Sequence, residues 1–411
     1  MTPPADLLEF LRRCGVALCL AGEAASRIPE EMEAVAAAYG FDDVEFLVVP
    51  TGVFVRVAGS EGVTVDFMNA DGPPLRLDQI DSLYKLMEAV KAAARGGKPI
   101  PPTEAIERLE AIFEAPPRFN LFMRVLGHTV LTVGLGLLVV RDGRALAGFA
   151  VLGFMVGVLR IVAERVRVLS LALPVLAAML VTALAYKFAP GLGLDASALI
   201  IPPLVAFLPG TALTLGAQEI ATRSMISGAS RMVSGIYMLL LLSFGIYAGY
   251  AIADTPQPYV APSPLEWWGP LLGVVVFGIG MYVNSSAPRD SLLWLLVMLL
   301  ITFGAQQLGA YVGEASFSAF TGGLVVVPIA TIVQRLKGPP AQVAILPAFW
   351  LLVPGALGLA GVTGLVSLGP GNQGLVNAFL TVVAVALGVL VGSSLTATAT
   401  QRRWRRPARG Q

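Results

Sequence analysis

A run of polar residues follows a Pro-Gly pair inside an apolar stretch: Thr211, Thr214, Gln218, Glu219, Arg223 and Arg231 come after Pro209-Gly210. A helix broken at that pair presents free amides at the start of the next half-helix. This positive dipole end suits a carboxylate, and carbonyls released upstream by the prolines suit an ammonium. Thr211, Thr214 and Gln218 add donors and acceptors along the half-helix, unless the threonines bond their own helix backbone. Glu219 and Arg223 are four apart, hence expected on one helix face, and Arg231 opens the next apolar stretch. Ionisable groups near membrane depth are functional candidates by default. Glu219 is therefore expected to carry a coupling proton modulated by Arg223 or Arg231, or else to form an interfacial ion pair that anchors the helix end.

The same pattern occurs twice. Residues 200–210 (IIPPLVAFLPG) and 345–355 (ILPAFWLLVPG) align without gaps, pairing Pro202 with Pro347, Pro209 with Pro354 and Gly210 with Gly355. Repeated Pro/Gly interruptions of membrane segments mark the central site of a transporter, which adds Pro354 and Gly355 to the expected substrate-binding backbone. The offset puts Gly364 opposite Glu219 and Val376 opposite Arg231, so a proton site would be asymmetric.

These segments must sit in a membrane. Hydrophobic residues make up 56% of the chain and charged ones 13%, with a mean hydropathy of +0.75, far from a soluble domain. Up to Arg118 there are 11 Lys/Arg and 19 Asp/Glu, and beyond it 17 and 8, which separates an acidic head from a membrane body. The body divides into ten apolar segments near 121–140, 145–161, 168–188, 196–218, 231–253, 267–284, 291–312, 315–333, 341–366 and 375–398, each able to cross a ~30 Å hydrocarbon core. Fifteen Lys/Arg flank alternate connections on one side, from Arg118 to Arg409, against Arg141, Arg144 and Lys187 on the other. Ten spans with both termini cytoplasmic satisfy the positive-inside rule.

With breaks in segments four and nine, ten spans form two units of five, the second upside down. The expected fold is thus a polytopic α-helical membrane protein with a 5+5 inverted repeat and a small α+β head. Its parts are a head over 1–118, repeats over 119–255 and 265–400, and a basic cytoplasmic tail over 401–411. Rocking of one half against the other would give alternating access.

The head reads as helices over 7–20 and 26–39, strands over 44–50, 53–59 and 63–69, then helices over 77–95 and 103–113. Asp6, Glu9, Arg12 and Arg13 interrupt the first twenty residues, unlike a signal peptide, so the head is expected to stay cytoplasmic. It contains no histidine, the single one being His128, which excludes Ser-His-Asp, Cys-His and His-rich zinc chemistry there. Gly96-Gly97-Lys98-Pro99 lacks the spacing of a phosphate loop, and Glu30, Glu31 and Glu33 read as a solvated helix face. Cys14 and Cys19, five apart on one helix, are separated by ~7.5 Å of rise and turned roughly 140°, which is unsuited to a bridge. No enzymatic activity, cofactor, metal site or nucleic-acid partner is expected.

Several motifs resemble one family. LPGTALTLGAQEIATRSMISGASRMVSG (208–235), LKGPPAQVAILPAFW with LVPG (336–355) and AGEAASRIPEEMEAVAAAYG (21–40) are similar to the threonine/serine exporter family over nearly the whole chain. The resemblance implies a cytoplasmic N-terminal domain followed by ten spans, sometimes split into two chains at the midpoint. It implies efflux of a small amino acid across a prokaryotic plasma membrane, driven by the proton motive force. Related two-chain systems are associated with succinate export, so a dicarboxylate is the alternative substrate. A membrane-anchored receptor or scaffold is the alternative of another class.

The expected partners are a small-molecule substrate, protons and membrane lipids, with the head either gating the cytoplasmic mouth or mediating self-association into a homo-oligomer. Among the remaining polar residues, Glu314 reads as a loop residue, Asn372, Gln373 and Asn377 as capping groups, and His128 as interfacial. Gly153/Gly157 and Gly309/Gly313 are spaced for close helix contact, and Trp267 and Trp268 read as interfacial anchors.

Overall fold

The computed structural model describes residues 5–59, 62–140, 142–253, 268–313, 315–352 and 371–404. Pro354 and Gly355, with Gly364, Glu314 and Trp267, lie outside the described residues. Two compact units are present: Met1–Arg118 with Leu215–Arg231, and Phe119–Thr214 with Met232–Gln411. The first therefore includes a stretch that the sequence reading assigns to the membrane body.

In the first unit, α1 (Ala5–Leu20) and α2 (Ile28–Ala38) precede strands β1 (Val44–Val49), β2 (Gly52–Gly59) and β3 (Gly62–Asn69), followed by α3 (Leu77–Arg95) and α4 (Pro102–Glu114). The strands form an antiparallel sheet in the order β1-β2-β3, with Phe46 opposite Val55 and Phe54 opposite Phe67. Alternation decides which face is covered. Val44, Phe46, Val48, Val53, Val55 and Val57 are buried, as are Leu7, Phe10, Leu11 and Leu18 along one stripe of α1. Each such large side chain contributes about 1.5–3 kcal/mol of burial. Gly15 brings α1 onto the sheet, where an added Cβ would meet Val53 at 3.1 Å.

The second unit is helical: α5 (Leu121–Val139), α6 (Leu146–Arg165), α7 (Arg167–Phe188) and α8 (Ala196–Ile200) come before the break, and α11 (Trp268–Asn284), α12 (Leu292–Val312), α13 (Ala315–Arg335), α14 (Ala341–Leu351) and α15 (Gly371–Trp404) come late in the chain. Between these sets, α9 (Gly210–Ala221) and α10 (Met225–Ala253) each run from one unit into the other in sequence. Among the described residues, seven helices are long and apolar enough to cross a membrane, and α11 and α14 are shorter apolar helices. Large apolar side chains on them face outward, including Leu171, Leu293, Leu308 and Tyr311. A surface of this kind suits lipid rather than water.

Glycines set the closest helix crossings. A Cβ on Gly134 would meet the Phe277 amide nitrogen at 2.2 Å, one on Gly280 the Leu131 nitrogen at 2.2 Å, and one on Gly127 the Asn284 nitrogen at 2.7 Å. As residue numbers rise on α5 they fall on α11, so the two helices run antiparallel. Leu131, Leu135, Val274, Phe277 and Met281 form a buried core at this crossing with Val205, Leu299 and Leu351. The expected glycine pairs also lie at contacts, Gly153 against Thr132 and Gly309 against Ser318.

The two proline-bearing segments differ in backbone. Residues Pro202–Phe207 form a 3-10 helix, whereas α14 continues through Pro347 to Leu351. The first segment carries Pro202-Pro203, where the second has Pro347-Ala348. Consecutive prolines remove two N–H donors, and the second disfavours the α conformation at the first.

Candidate functional site

Segment four breaks where its prolines predict. The 3-10 turn ends at Leu208, which is extended (φ −68°, ψ 124°), and α9 begins at Gly210. The first bond of the new helix runs from the Leu213 N–H to the Pro209 carbonyl at 3.0 Å. The amides of Gly210, Thr211 and Ala212 therefore precede the intrahelical ladder. Gly210 is buried, Pro209 and Thr211 are half-buried, and Thr214 is fully buried. The hydroxyls of Thr211 and Thr214 have no hydrogen-bond partner among the described residues. Neither bonds its own helix backbone, the alternative open to them in the sequence, and a buried hydroxyl left in this state is costly.

Downstream, the polar residues belong to the compact unit that contains the head. Glu219, 0% exposed, accepts the Arg231 Nε–H at 3.2 Å on both oxygens and the Ala25 amide at 2.8 Å. Arg231 Nη2 also donates to the Glu23 carbonyl at 3.2 Å. Gln218 is buried as well. Two local features position this pair. Tight turns, from the Gly22 N–H to the Cys19 carbonyl and from the Arg27 N–H to the Ala24 carbonyl, bracket Ala25 between α1 and α2. Gly228 lets α10 approach α9, since a Cβ there would lie 2.6 Å from the Gly216 carbonyl.

Arg223 is not part of this arrangement. It is exposed, lies beyond the end of α9, and adopts φ 69° in the turn before α10. The expectation of one helix face shared with Glu219 fails because the helix ends two residues earlier. Among the described residues Arg223 forms no ion pair.

Other groups are not evident from the sequence. Glu23, also buried, accepts from the Tyr84 hydroxyl and from the Ala24 amide at 3.1 Å, with Arg27 at 3.8 Å. Burial, followed by the neighbouring Glu23 charge, holds the Tyr84 phenol well above its ordinary range. The i,i+4 spacing of Glu23 and Arg27 was the available signal. His128, expected at an interface, is 1% exposed. Its Nε2 lies 3.2 Å from the Pro203 carbonyl, within the 3-10 turn that precedes α9.

Against this geometry, the family model described as "Putative threonine/serine exporter" matches residues 9–253. The chain belongs to the threonine/serine exporter family. The match covers the head and the membrane helices through α10. The chain is also similar to Pheromone-regulated membrane protein 10 of Eremothecium gossypii, 26% identical over 271 residues, covering 59% of this chain and 36% of that protein. An uncharacterized protein of Schizosaccharomyces pombe is 24% identical over 381 residues, covering 87% and 49%. Pheromone-regulated membrane protein 10 of Saccharomyces cerevisiae is 28% identical over 185 residues, covering 43% and 47%. The chain thus spans between about a third and a half of the length of these curated fungal relatives, two of which are described as membrane proteins. No solved structure matches it.

Proposed function

We propose that this exporter-family chain is a secondary transporter that moves a small amino acid, threonine or serine, out across a plasma membrane by alternating access. The observation that carries this reading is the break before Gly210, followed by the unpartnered buried hydroxyls of Thr211 and Thr214. Backbone amides at a half-helix start bind a substrate carboxylate, and a buried hydroxyl without a partner suits a hydroxy amino acid. Pro209, Gly210, Thr211, Thr214 and Gln218, with Pro354 and Gly355 of the second segment, are the proposed substrate residues.

Contacts within the membrane unit support ten spans as a 5+5 inverted repeat. Helices begin at Leu121, Leu146, Arg167, Ala196 and Met225, then at Trp268, Leu292, Ala315, Ala341 and Gly371. The spacing between counterparts is nearly constant, 145 (341 less 196) for α8 and α14. Under this spacing α5 and α11 are counterparts, and they cross antiparallel with matched close approaches, Gly134 on Phe277 and Gly280 on Leu131. The third and fifth helices of each half repeat a second contact: Gly245 and Gly249 approach the carbonyls of Val175 and Met179, as Gly388 and Gly392 approach those of Phe320 and Leu324. A pseudo-two-fold axis between inverted halves accounts for both.

Proton coupling is assigned to Glu219 with Arg231. A proton on Glu219 would displace the Arg231 pair and weaken the Ala25 bond, so coupling would act through the head. Counterflow of labelled serine, threonine and succinate in proteoliposomes tests the reading. Succinate alone would favour the dicarboxylate, and absence of all three in folded protein would favour a scaffold.

A further inference from the structure

A second polar cluster lies within the membrane unit, apart from the α9 break. Arg160 of α6 donates from Nη1 to the Asn284 side-chain oxygen at 3.1 Å, and the same Nη1 lies 3.4 Å from His128 Nδ1. Because His128 Nε2 meets the Pro203 carbonyl, that nitrogen carries the hydrogen and Nδ1 is the acceptor. Both partners of Arg160 are thus neutral. The adjacent Glu164 offsets this charge only in part: its carboxylate acts on Arg160 at a distance, while its hydrogen bonds go to Arg124 at 3.3 and 2.5 Å. The cluster holds two guanidiniums and one carboxylate. Arg124, His128, Arg160, Glu164 and Asn284 line a narrow cleft, with Gly157 on its wall, that admits a water-sized group.

A largely buried cation inside an apolar helix bundle is costly unless paired. Only Nη1 of Arg160 has partners among the described residues, so its Nε/Nη2 edge, the edge that grips a carboxylate with two parallel bonds, is uncommitted. We propose that Arg160, oriented by His128 and Asn284, binds the carboxylate of a small organic anion, the transported solute's own, presented at the open mouth of this cleft with the rest of the anion outside it, at a station distinct from the Gly210 amides. The inference rests on the transporter reading. His128 gives the station a physical link to the broken segment: it shares its ring between Arg160 and the carbonyl of Pro203, within the turn that precedes α9. A carboxylate seated on Arg160 would compete with His128 for the guanidinium and so loosen that turn's tether.

The test uses the full chain in detergent, with thermal unfolding followed against sodium acetate and, as the uncharged isostere, acetamide. Acetate is expected to stabilise the wild type where acetamide does not. Arg160→Gln is expected to weaken acetate binding about tenfold or more, and Arg160→Lys to retain part of it. Glu164→Gln, a change at a half-exposed side chain that leaves folding intact, is expected to tighten acetate binding severalfold by removing the competing carboxylate. Equal stabilisation by acetate and acetamide, or an acetate effect unchanged in both Arg160→Gln and Glu164→Gln, would overturn the proposal. So would stabilisation by phosphatidylglycerol vesicles but not by acetate, because the cluster would then be a lipid phosphate site. Flux of serine and threonine by the wild type is read separately: flux without an acetate effect removes the station and leaves the transporter standing.

Discussion

The backbone amide of Ala25 donates to the Glu219 carboxylate at 2.8 Å across 194 positions of chain. Arg231 closes the arrangement, holding Glu219 through Nε and the Glu23 carbonyl through Nη2. One buried carboxylate therefore joins the turn between α1 and α2 to the end of the helix that starts at Gly210. Removing one partner of a buried pair strands the other, so Glu219→Ala is expected to lose about 3–5 kcal/mol of stability. The double change Glu219→Leu/Arg231→Met should lose less than Glu219→Ala alone. Denaturant unfolding of these two variants and of the single changes Glu219→Leu and Arg231→Met checks this, and simple additivity would show that the two side chains do not act as a unit.

Thr214→Val separates a binding hydroxyl from a packing one. The hydroxyl is fully buried and unpartnered. Its replacement by a methyl of similar size is expected to raise stability by about 1 kcal/mol while serine flux falls about tenfold, as for a lost substrate hydrogen bond. Stability by thermal melt and flux in vesicles should move in opposite directions. Unchanged flux would remove Thr214 from the site.

Burial pushes the Cys14 thiol up to about 12 and the Cys19 thiol up to about 11, from an ordinary 9.0. Around Cys19, Arg231 acts against the shift and Glu219 with it. Because the folded values are raised, the folded state keeps these protons longer than the unfolded chain. The associated stability is full below about 9 and is lost as pH rises through about 11 for Cys19 and about 12 for Cys14. Alkylation with iodoacetamide at pH 8 should spare the buried Cys14 and label the half-buried Cys19 slowly in folded protein, and label both after denaturation. Rapid labelling of Cys14 in the folded chain would contradict its burial.

The crossing of α5 and α11 predicts a steric result. Gly134→Val places new atoms against the backbone of Phe277, where an added Cβ would already lie 2.2 Å from nitrogen. Backbone cannot yield as a side-chain tip does, so destabilisation of at least about 1–3 kcal/mol is expected. Gly280→Val should cost a similar amount if the two positions are equivalents. Folded yield and thermal midpoint in detergent measure both, and a tolerated valine at either position would argue against the matched contact.

Local patterns made much of this legible. Alternation in 44–69 defined three strands that the structure shows within a residue or two, and Pro202, Pro203 and Pro209 marked a break that falls where α9 starts. The pairing of Glu219 was only half legible. Spacing alone favoured Arg223, but the left-handed turn at that residue ends the helix face and leaves Arg231 opposite. The Ala25 bond and the Tyr84 contact to Glu23 depend on tertiary packing and leave no periodic trace. His128 was misplaced for a related reason. Its partner is a backbone carbonyl of segment four, a contact across 75 positions that depends on tertiary packing.

Counterflow of labelled serine, threonine and succinate in proteoliposomes, with and without a proton gradient, tests the central claim most directly. Gradient-stimulated exchange of serine or threonine, lost in Gly210→Leu protein that still folds, is the predicted result. Folded wild-type protein that exchanges none of the three, or a Gly210→Leu variant with undiminished flux, would contradict a substrate site at the break.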